Sequence, residues 1–152
     1  MIDDLAVELA AGCQTGTALV RHVLREVDAG VRTVAECQAR VVASTTPLGR
    51  ILQWNVPVFD ERGRFLAIPD AWADDVAMAW EIDSYEFHLS PEDYDRTLRR
   101  RATMTSAGII VAHTLPSRLR TEPKRVLAEL EDAYRLASQR PRPAVRMDVA
   151  FR

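Results

Sequence analysis

The chain has 152 residues, of which 47% are apolar and 28% charged, and its formal net charge is −2. This length and apolar content suit a single domain with a sizeable core, and the charge balance excludes a strongly basic, histone-like nucleic-acid binder. Cys13 and Cys37 lack CxxC spacing, which argues against a cysteine-based zinc site. Without a signal peptide or an apolar run of about 18 residues, we expect a soluble cytoplasmic protein and no membrane partner.

The first third of the chain is predicted to be helical. Residues 3–11 and 17–29 have helical patterns, and each pattern ends at a glycine that can form a left-handed C-cap. The capping-box pattern Thr33–Glu36 opens a third predicted helix over 34–44, which ends before Pro47.

Three strands are predicted next. Residues 51–59 are rich in β-branched and aromatic side chains, and Asp60–Gly63 has the composition of a hairpin turn with glycine at a positive φ. A second strand is predicted at 64–70. A third is predicted at 76–84, after a turn around Asp74-Asp75.

The last third alternates helix and strand. Ser90 is a hydroxyl N-cap followed by proline, which predicts a helix to about residue 107. A short apolar run at 109–112 predicts a buried strand, and an amphipathic helix follows at 122–139. The tail at 140–152 contains two prolines and is predicted to be irregular.

This element order predicts an α/β (α+β) fold with a central mixed sheet flanked by helices. The order is helix, three strands, helix, strand and helix, after two extra helices. We therefore predict an N-terminal helical extension over 1–30, a domain over 31–139 and a tail over 140–152.

Three carboxylates are predicted to converge at one end of the sheet. In the strand 76–84, Glu81 and Asp83 share a face because side chains alternate along a strand. Asp70 ends the preceding strand and would lie beside them. Such a cluster needs a cation, a shared proton or arginine partners, and a hard divalent ion such as Mg²⁺ (or Mn²⁺) suits oxygen ligands best. The alternative is that Glu81 and Asp83 face solvent on an edge strand.

These residues resemble the PD-(D/E)xK restriction-endonuclease-like superfamily, because Pro69-Asp70 is followed one strand later by Glu81-Ile82-Asp83. The segments WEIDSYEFH and DRTLRRRATMTSAGIIV are similar to a group allied to the very-short-patch-repair endonucleases. That domain type also forms the C-terminal half of AbiEi-like antitoxin or regulator proteins. The likeness covers about residues 31–138 and implies a restriction-endonuclease-like core.

The resemblance also implies site residues. Asp70 and Glu81 would hold the metal ion, with the carbonyl of Ile82 as a third ligand. Asp83 occupies the position of the superfamily's lysine, and Lys124, the only lysine in the chain, lies in the last predicted helix. A metal-bound water would then have to supply the nucleophile without help from a lysine.

Two further residues match the superfamily pattern. Glu36 would be its outlying acidic residue, although its place in a capping box explains it equally well. His88 would be an acid/base group or a phosphate contact, and the alternative is a structural hydrogen bond.

Four arginines lie within two turns of one predicted helix. They could bind a nucleic-acid backbone or neutralise the acidic site, and the alternative is a solvated face with Asp95 and Arg99 paired four residues apart. The four residues are Arg96, Arg99, Arg100 and Arg101.

Two functions follow as hypotheses. The first is a metal-dependent DNA endonuclease or phosphodiesterase in DNA repair or in defence against phages and mobile elements. The second is a catalytically inactive endonuclease-like domain that acts as an AbiEi-type antitoxin or transcriptional regulator by binding a partner. DNA, a toxin or regulatory protein, and a second copy of the chain are the partners considered.

Overall fold

The computed structural model describes residues 34–83 and 90–149. The chain divides into two compact units, Met1–Val34 and Ala35–Arg152, so the described residues belong almost entirely to the second unit. The two predicted N-terminal helices, and the predicted domain boundary that follows them, lie outside the described residues.

The first described helix, α1, covers 34–44 as the sequence pattern predicts. It buries a narrow stripe of small side chains, which recur every four residues and so lie on one face of the helix. The stripe consists of Ala35, Ala39 and Ala43. A short helix, α2, follows at Leu48–Ile51, so Pro47 begins a new helix rather than a loop. Thr33 of the predicted capping box lies outside the described residues.

The prediction of one continuous strand over 51–59 is wrong. The structure contains β1 at Gln53–Trp54 and β2 at Val58–Asp60, and the two strands belong to different sheets. Asn55 lies between them with φ of 53°, in the left-handed region, which turns the chain from one sheet to the other.

The predicted hairpin turn at Asp60–Gly63 is confirmed. It joins β2 to β3 at Phe65–Ala67, and the Gly63 N–H donates to the Asp60 carbonyl at 3.0 Å. Gly63 has φ of 78°, which glycine adopts without steric cost. The predicted strand to residue 70 ends early, because Pro69 has no N–H to donate to a ladder.

The turn predicted around Asp74-Asp75 is confirmed, but the strand that precedes it was not predicted. Residues Ala71–Ala73 form β4, which pairs antiparallel with β5 at Met78–Ile82. The turn between them lies at 74–77, and Ala77 has φ of 52° there. The predicted third strand at 76–84 therefore begins two residues too early.

The helix predicted after Ser90 is confirmed as α3, Pro91–Ser106. The Ser90 hydroxyl accepts a hydrogen bond from the Asp93 N–H at 3.2 Å, which is N-cap geometry. Gly108 follows the helix with φ of 84°. The next strand, β6 at Ile110–Thr114, is longer than the predicted apolar run.

Two helices and a strand complete the described chain. The short helix α4 at Pro116–Thr121 was not predicted, while α5 at Pro123–Ser138 matches the predicted final helix. The predicted irregular tail is wrong in part, because Val145–Met147 forms β7 and pairs antiparallel with β2. Burial of Val145 in the core stabilises this strand.

The strands form two sheets. The larger sheet has the order β1-β4-β5-β6, in which the first two pairings are antiparallel and the last is parallel. The smaller sheet has the order β3-β2-β7 and is antiparallel throughout. The described residues are thus a mixed α/β fold with a mixed sheet and five helices. None of these helices has the length and apolar character needed to cross a membrane.

Side-chain alternation along β5 separates two core clusters. Met78, Trp80 and Ile82 pack with α1 and α5 on one face of the larger sheet. Ala79 belongs to the second cluster, which contains Met104 of α3 and residues of the smaller sheet. The alternation places Glu81 on the same side as α3.

Candidate functional site

Asp70 lies just before β4, and its side chain contacts the backbone at the end of β5. Its Oδ2 accepts a hydrogen bond from the Ile82 N–H at 2.6 Å. This bond holds the carboxylate beside the last residues of β5, where Glu81 also lies. The contact uses the amide of Ile82 rather than the carbonyl that was expected to bind a metal ion.

Glu81 lies on β5 and is 3% exposed. Its Oε2 accepts a hydrogen bond from Nη2 of Arg100, which reaches across from α3. Its Oε1 is buried without a hydrogen-bond partner. None of the described residues forms a hydrogen bond with this oxygen, although buried polar atoms are usually paired.

Asp83 follows β5 and faces the next arginine of the same helix. Nη2 of Arg101 lies 3.4 Å from Oδ2 of Asp83 and donates at 2.8 Å to Nδ1 of His113. The Arg101 Nε is buried and has no hydrogen-bond partner. Two consecutive arginines thus supply positive charge to two acids that lie two residues apart at the end of β5.

His113 is a site residue that the sequence reasoning missed. It lies on β6 directly beside Glu81 in the parallel pairing. Burial, together with the nearby Arg101 charge, lowers the pKa of His113 to about 4, so the imidazole is neutral near pH 7. The signal in the sequence was a histidine within the otherwise apolar strand IVAHT. No rule of sequence spacing relates that position to Glu81, so the histidine could not be assigned to the site.

Burial is also the largest influence on the pKa of Glu81. Burial raises the pKa of this carboxyl, Arg100 and Arg101 lower it, and the charges of Asp70 and Asp83 raise it, so that its net value is about 8. The three predicted acids therefore lie close enough to interact. Arginine partners and a proton retained on Glu81 reduce the repulsion among the three acids. Both were alternatives to a bound cation in the prediction from the sequence.

A small cavity lies at the centre of this cluster. Its volume is about 20 Å³, which is room for one water molecule. Its walls come from the end of β5, from α3 and from β6. The lining residues are Glu81, Ile82, Asp83, Thr97, Arg100, Arg101, Met104 and His113.

The predicted arginine cluster divides into two pairs. Arg96 and Arg99 form surface ion pairs with Asp93 and Asp95, at 3.3 Å and 2.7 Å, and both arginine side chains are 80% exposed. The pairing of Asp95 with Arg99 confirms the alternative considered for that residue. The next two arginines face the acidic cluster instead.

The two remaining predicted residues lie outside the cavity lining. Glu36 on α1 accepts a hydrogen bond from Nδ2 of Asn55 at 3.3 Å, and the Asn55 N–H donates to the Asp70 carbonyl at 3.1 Å. Glu36 is thus linked to Asp70 through one residue. His88 lies outside the described residues.

The described residues do not fit a divalent metal ion as they are arranged. Within 34–83 and 90–149, no group of three or more His, Cys, Asp or Glu side chains could hold one. Arg100 and Arg101 already provide the cationic groups beside Glu81 and Asp83. Among the described residues, the buried and unpartnered Oε1 of Glu81 is a carboxylate oxygen of the kind that binds Mg²⁺.

Comparisons with protein-family models, with curated proteins and with solved structures give no match to this chain. Inference about the site therefore depends on its own geometry and chemistry.

Proposed function

We propose that the described domain is an endonuclease-like domain that does not hydrolyse DNA and acts by binding a toxin or regulatory protein, in the manner of an antitoxin or transcriptional regulator. The order of elements supports the endonuclease-like core. Helix α1 precedes three strands paired antiparallel, β1, β4 and β5, and α3 then leads to β6, which is parallel to β5. The hairpin of β2 and β3 is inserted between the first two of these strands.

The contacts of Arg100 with Glu81 and of Arg101 with Asp83 carry the proposal that the site is inactive. Glu81 and Asp83 stand where the superfamily has a metal ligand and a lysine, and both acids are bonded to arginine. A divalent ion would have to displace two guanidinium groups and remove the proton favoured by the raised pKa of Glu81. No lysine of the described residues faces the cluster, since Lys124 lies on α5.

Metal binding and cleavage test this proposal directly. We expect isothermal titration of the full chain with Mn²⁺ to give no saturable heat. We also expect no cleavage of duplex, single-stranded or mismatched DNA with Mg²⁺ or Mn²⁺. Saturable Mn²⁺ binding together with cleavage that disappears in Asp70→Ala, but persists in the exposed-acid control Asp95→Ala, would contradict it.

The partner half of the proposal has its own test. If a gene for a toxin-like nucleotidyltransferase lies beside this one, co-expression of the two proteins should give a complex stable in size-exclusion chromatography. Separate elution of the two proteins under these conditions would count against an antitoxin role.

A metal-dependent DNA endonuclease is the second candidate, and one observation favours it. Oε1 of Glu81 is buried without a partner close to Asp70, as a ligand atom would be before its ion binds. In this candidate Asp70 and Glu81 would bind Mg²⁺, and the exposed Arg96 and Arg99 would contact DNA phosphates. The cleavage assay above distinguishes the two candidates.

A further inference from the structure

The outer face of the smaller sheet carries two aromatic rings side by side. A β-bulge between Val58 and Phe59 pairs Val58 with Ala67 but Phe59 with Phe65. Val58 and Ala67 are buried, whereas Phe65 is 53% exposed. The two phenyl rings are 5.8 Å apart between centroids at 72°, which is an edge-to-face contact. The bulge therefore turns Phe65 outwards beside Phe59.

Two exposed arginines lie close to these rings in the fold. Arg146 on β7 lies directly opposite Phe59 in the register, and its side chain passes close to Gly63 in the hairpin turn. Arg146 and Arg62 are exposed. Neither forms an ion pair with another described residue.

The acids of the hairpin only partly offset this charge. The Asp60 carboxylate accepts hydrogen bonds from the N–H groups of Arg62 and Arg64 and pairs with the Arg64 guanidinium at 3.1 Å. Glu61 at the turn is the other acid of the hairpin and is exposed. Once the Asp60–Arg64 pair is set aside, the guanidinium groups of Arg62 and Arg146 remain to contact phosphate, beside the acids Glu61 and Asp148.

A groove adjoins Phe65 and extends towards α3. Its volume is about 850 Å³, which is within the range of sites that hold a nucleotide-sized ligand. The hairpin side of the groove consists of Phe65, Arg62 and Arg64 together with the acids Asp60 and Glu61, and Thr103 and Ser106 of α3 contribute hydroxyl groups to its lining.

We propose that this face binds single-stranded nucleic acid, with a base stacked on Phe65 and the sugar-phosphate backbone held by Arg62 and Arg146. An exposed aromatic ring stacks on any base, and arginine forks bind phosphate oxygens, which together are the usual means of sequence-tolerant single-strand binding. Duplex DNA keeps its bases stacked on each other and cannot use the ring in this way. The surface shares no residue with the acidic cluster, so this proposal is independent of whether that cluster binds metal.

Fluorescence anisotropy tests the stacking contact. The probe is a labelled oligothymidylate of about ten nucleotides, within the site size of small single-strand-binding folds, and the full chain is titrated at low salt. We expect Phe65→Ala to weaken binding about tenfold and Phe65→Tyr to restore most of it. Leu136→Ala, which removes another exposed apolar side chain on α5, should leave the affinity unchanged.

The salt dependence tests the phosphate contacts. The double variant with Arg62→Ala and Arg146→Ala should lower the slope of log K against log salt by about 1.4, because each single-strand phosphate contact contributes about 0.7. The matched control Arg135→Ala removes an exposed arginine from α5 and should not change the slope. Thermal unfolding identifies any variant that fails to fold.

Three outcomes would overturn the proposal. They are no oligonucleotide binding by the wild-type chain, equal affinity for single strand and duplex, and equal affinity of wild type and a folded Phe65→Ala variant. Loss of a protein complex in Phe65→Ala, without any oligonucleotide binding, would instead assign this face to a protein partner.

Discussion

Glu81 shows how a buried acid can be stable beside other acids without a metal ion. Burial and the charges of Asp70 and Asp83 raise its pKa, and the two arginines of α3 reduce this rise without reversing it. The folded state therefore favours the protonated carboxyl, whereas the unfolded chain ionises it at its ordinary pKa of 4.5. Protonation of this side chain is thus linked to folding.

This linkage predicts how stability changes with pH. A pKa raised on folding stabilises the protein at low pH, and this stabilisation is lost as pH rises towards 8. His113, whose pKa falls from 6.5 to about 4, has the opposite effect and destabilises the fold as pH falls, mainly below pH 6.5. Between pH 6.5 and 8 the Glu81 effect is the larger of the two, and the wild type should lose roughly 1 kcal/mol of unfolding free energy.

Urea unfolding at pH 6.5 and pH 8 measures this loss. Glu81→Gln should remove most of it, and the same substitution at the exposed Glu131 should not. An equal pH dependence in wild type and Glu81→Gln would show that Glu81 is ionised in the folded protein.

The acids of the site could be anticipated from the sequence, and their partners could not. Strand alternation places Glu81 and Asp83 on one face from their spacing alone. Which arginines face them depends on how α3 is rotated on the sheet, and two of the four neighbouring arginines instead pair along the helix surface. His113 enters the site through pairing of β5 with β6, a contact between residues 32 positions apart.

At the scale of elements, helices were easier to predict than strands. The helices 34–44, α3 and α5 have amphipathic periodicity and N-terminal signals over three or more turns. The run 51–59 has strand composition throughout, but a single left-handed residue, Asn55, divides it between two sheets. Composition does not reveal such a corner, because asparagine is also common in ordinary turns.

The hairpin turn allows a prediction about backbone conformation. Gly63→Ala should lower the unfolding free energy by about 1 kcal/mol, because alanine is strained at a φ of 78°. An added Cβ would lie 3.5 Å from the Arg146 side chain, so steric clash is not the cause. Gly63→Asn should cost less than Gly63→Ala, since asparagine tolerates this region better. Chemical denaturation of both variants tests the order, and an unchanged midpoint in Gly63→Ala would refute the backbone argument.

At the scale of the whole domain, the tail joins parts that are distant in sequence. Arg140 donates to the Gly108 carbonyl after α3, and Arg142 donates to the Asp74 carbonyl and carboxylate in the turn between β4 and β5. Val145 is buried in the second core cluster as part of β7. The tail therefore completes the smaller sheet and holds it against the larger one.

Removal of the tail should therefore destabilise the whole domain. A chain that ends at Gln139 loses a buried valine, the β7 ladder and the Arg142 contacts, and we expect it to lose at least about 2 kcal/mol of stability. A chain that ends at Asp148 keeps these contacts and serves as the control. Thermal unfolding of both chains measures the difference, and equal melting temperatures would contradict the stabilising role.

Because β5 and β6 run in the same direction, the chain must travel back along the sheet before β6 can begin, and α3 makes this return. The return helix therefore also sets the angular position of the two guanidinium groups. Loss of a single residue between Ser90 and Arg100 would rotate both arginines by about 100° relative to the N-cap. Length changes in that interval would separate the charges of α3 from those of β5, whereas a longer loop at the hairpin tip would leave them in place.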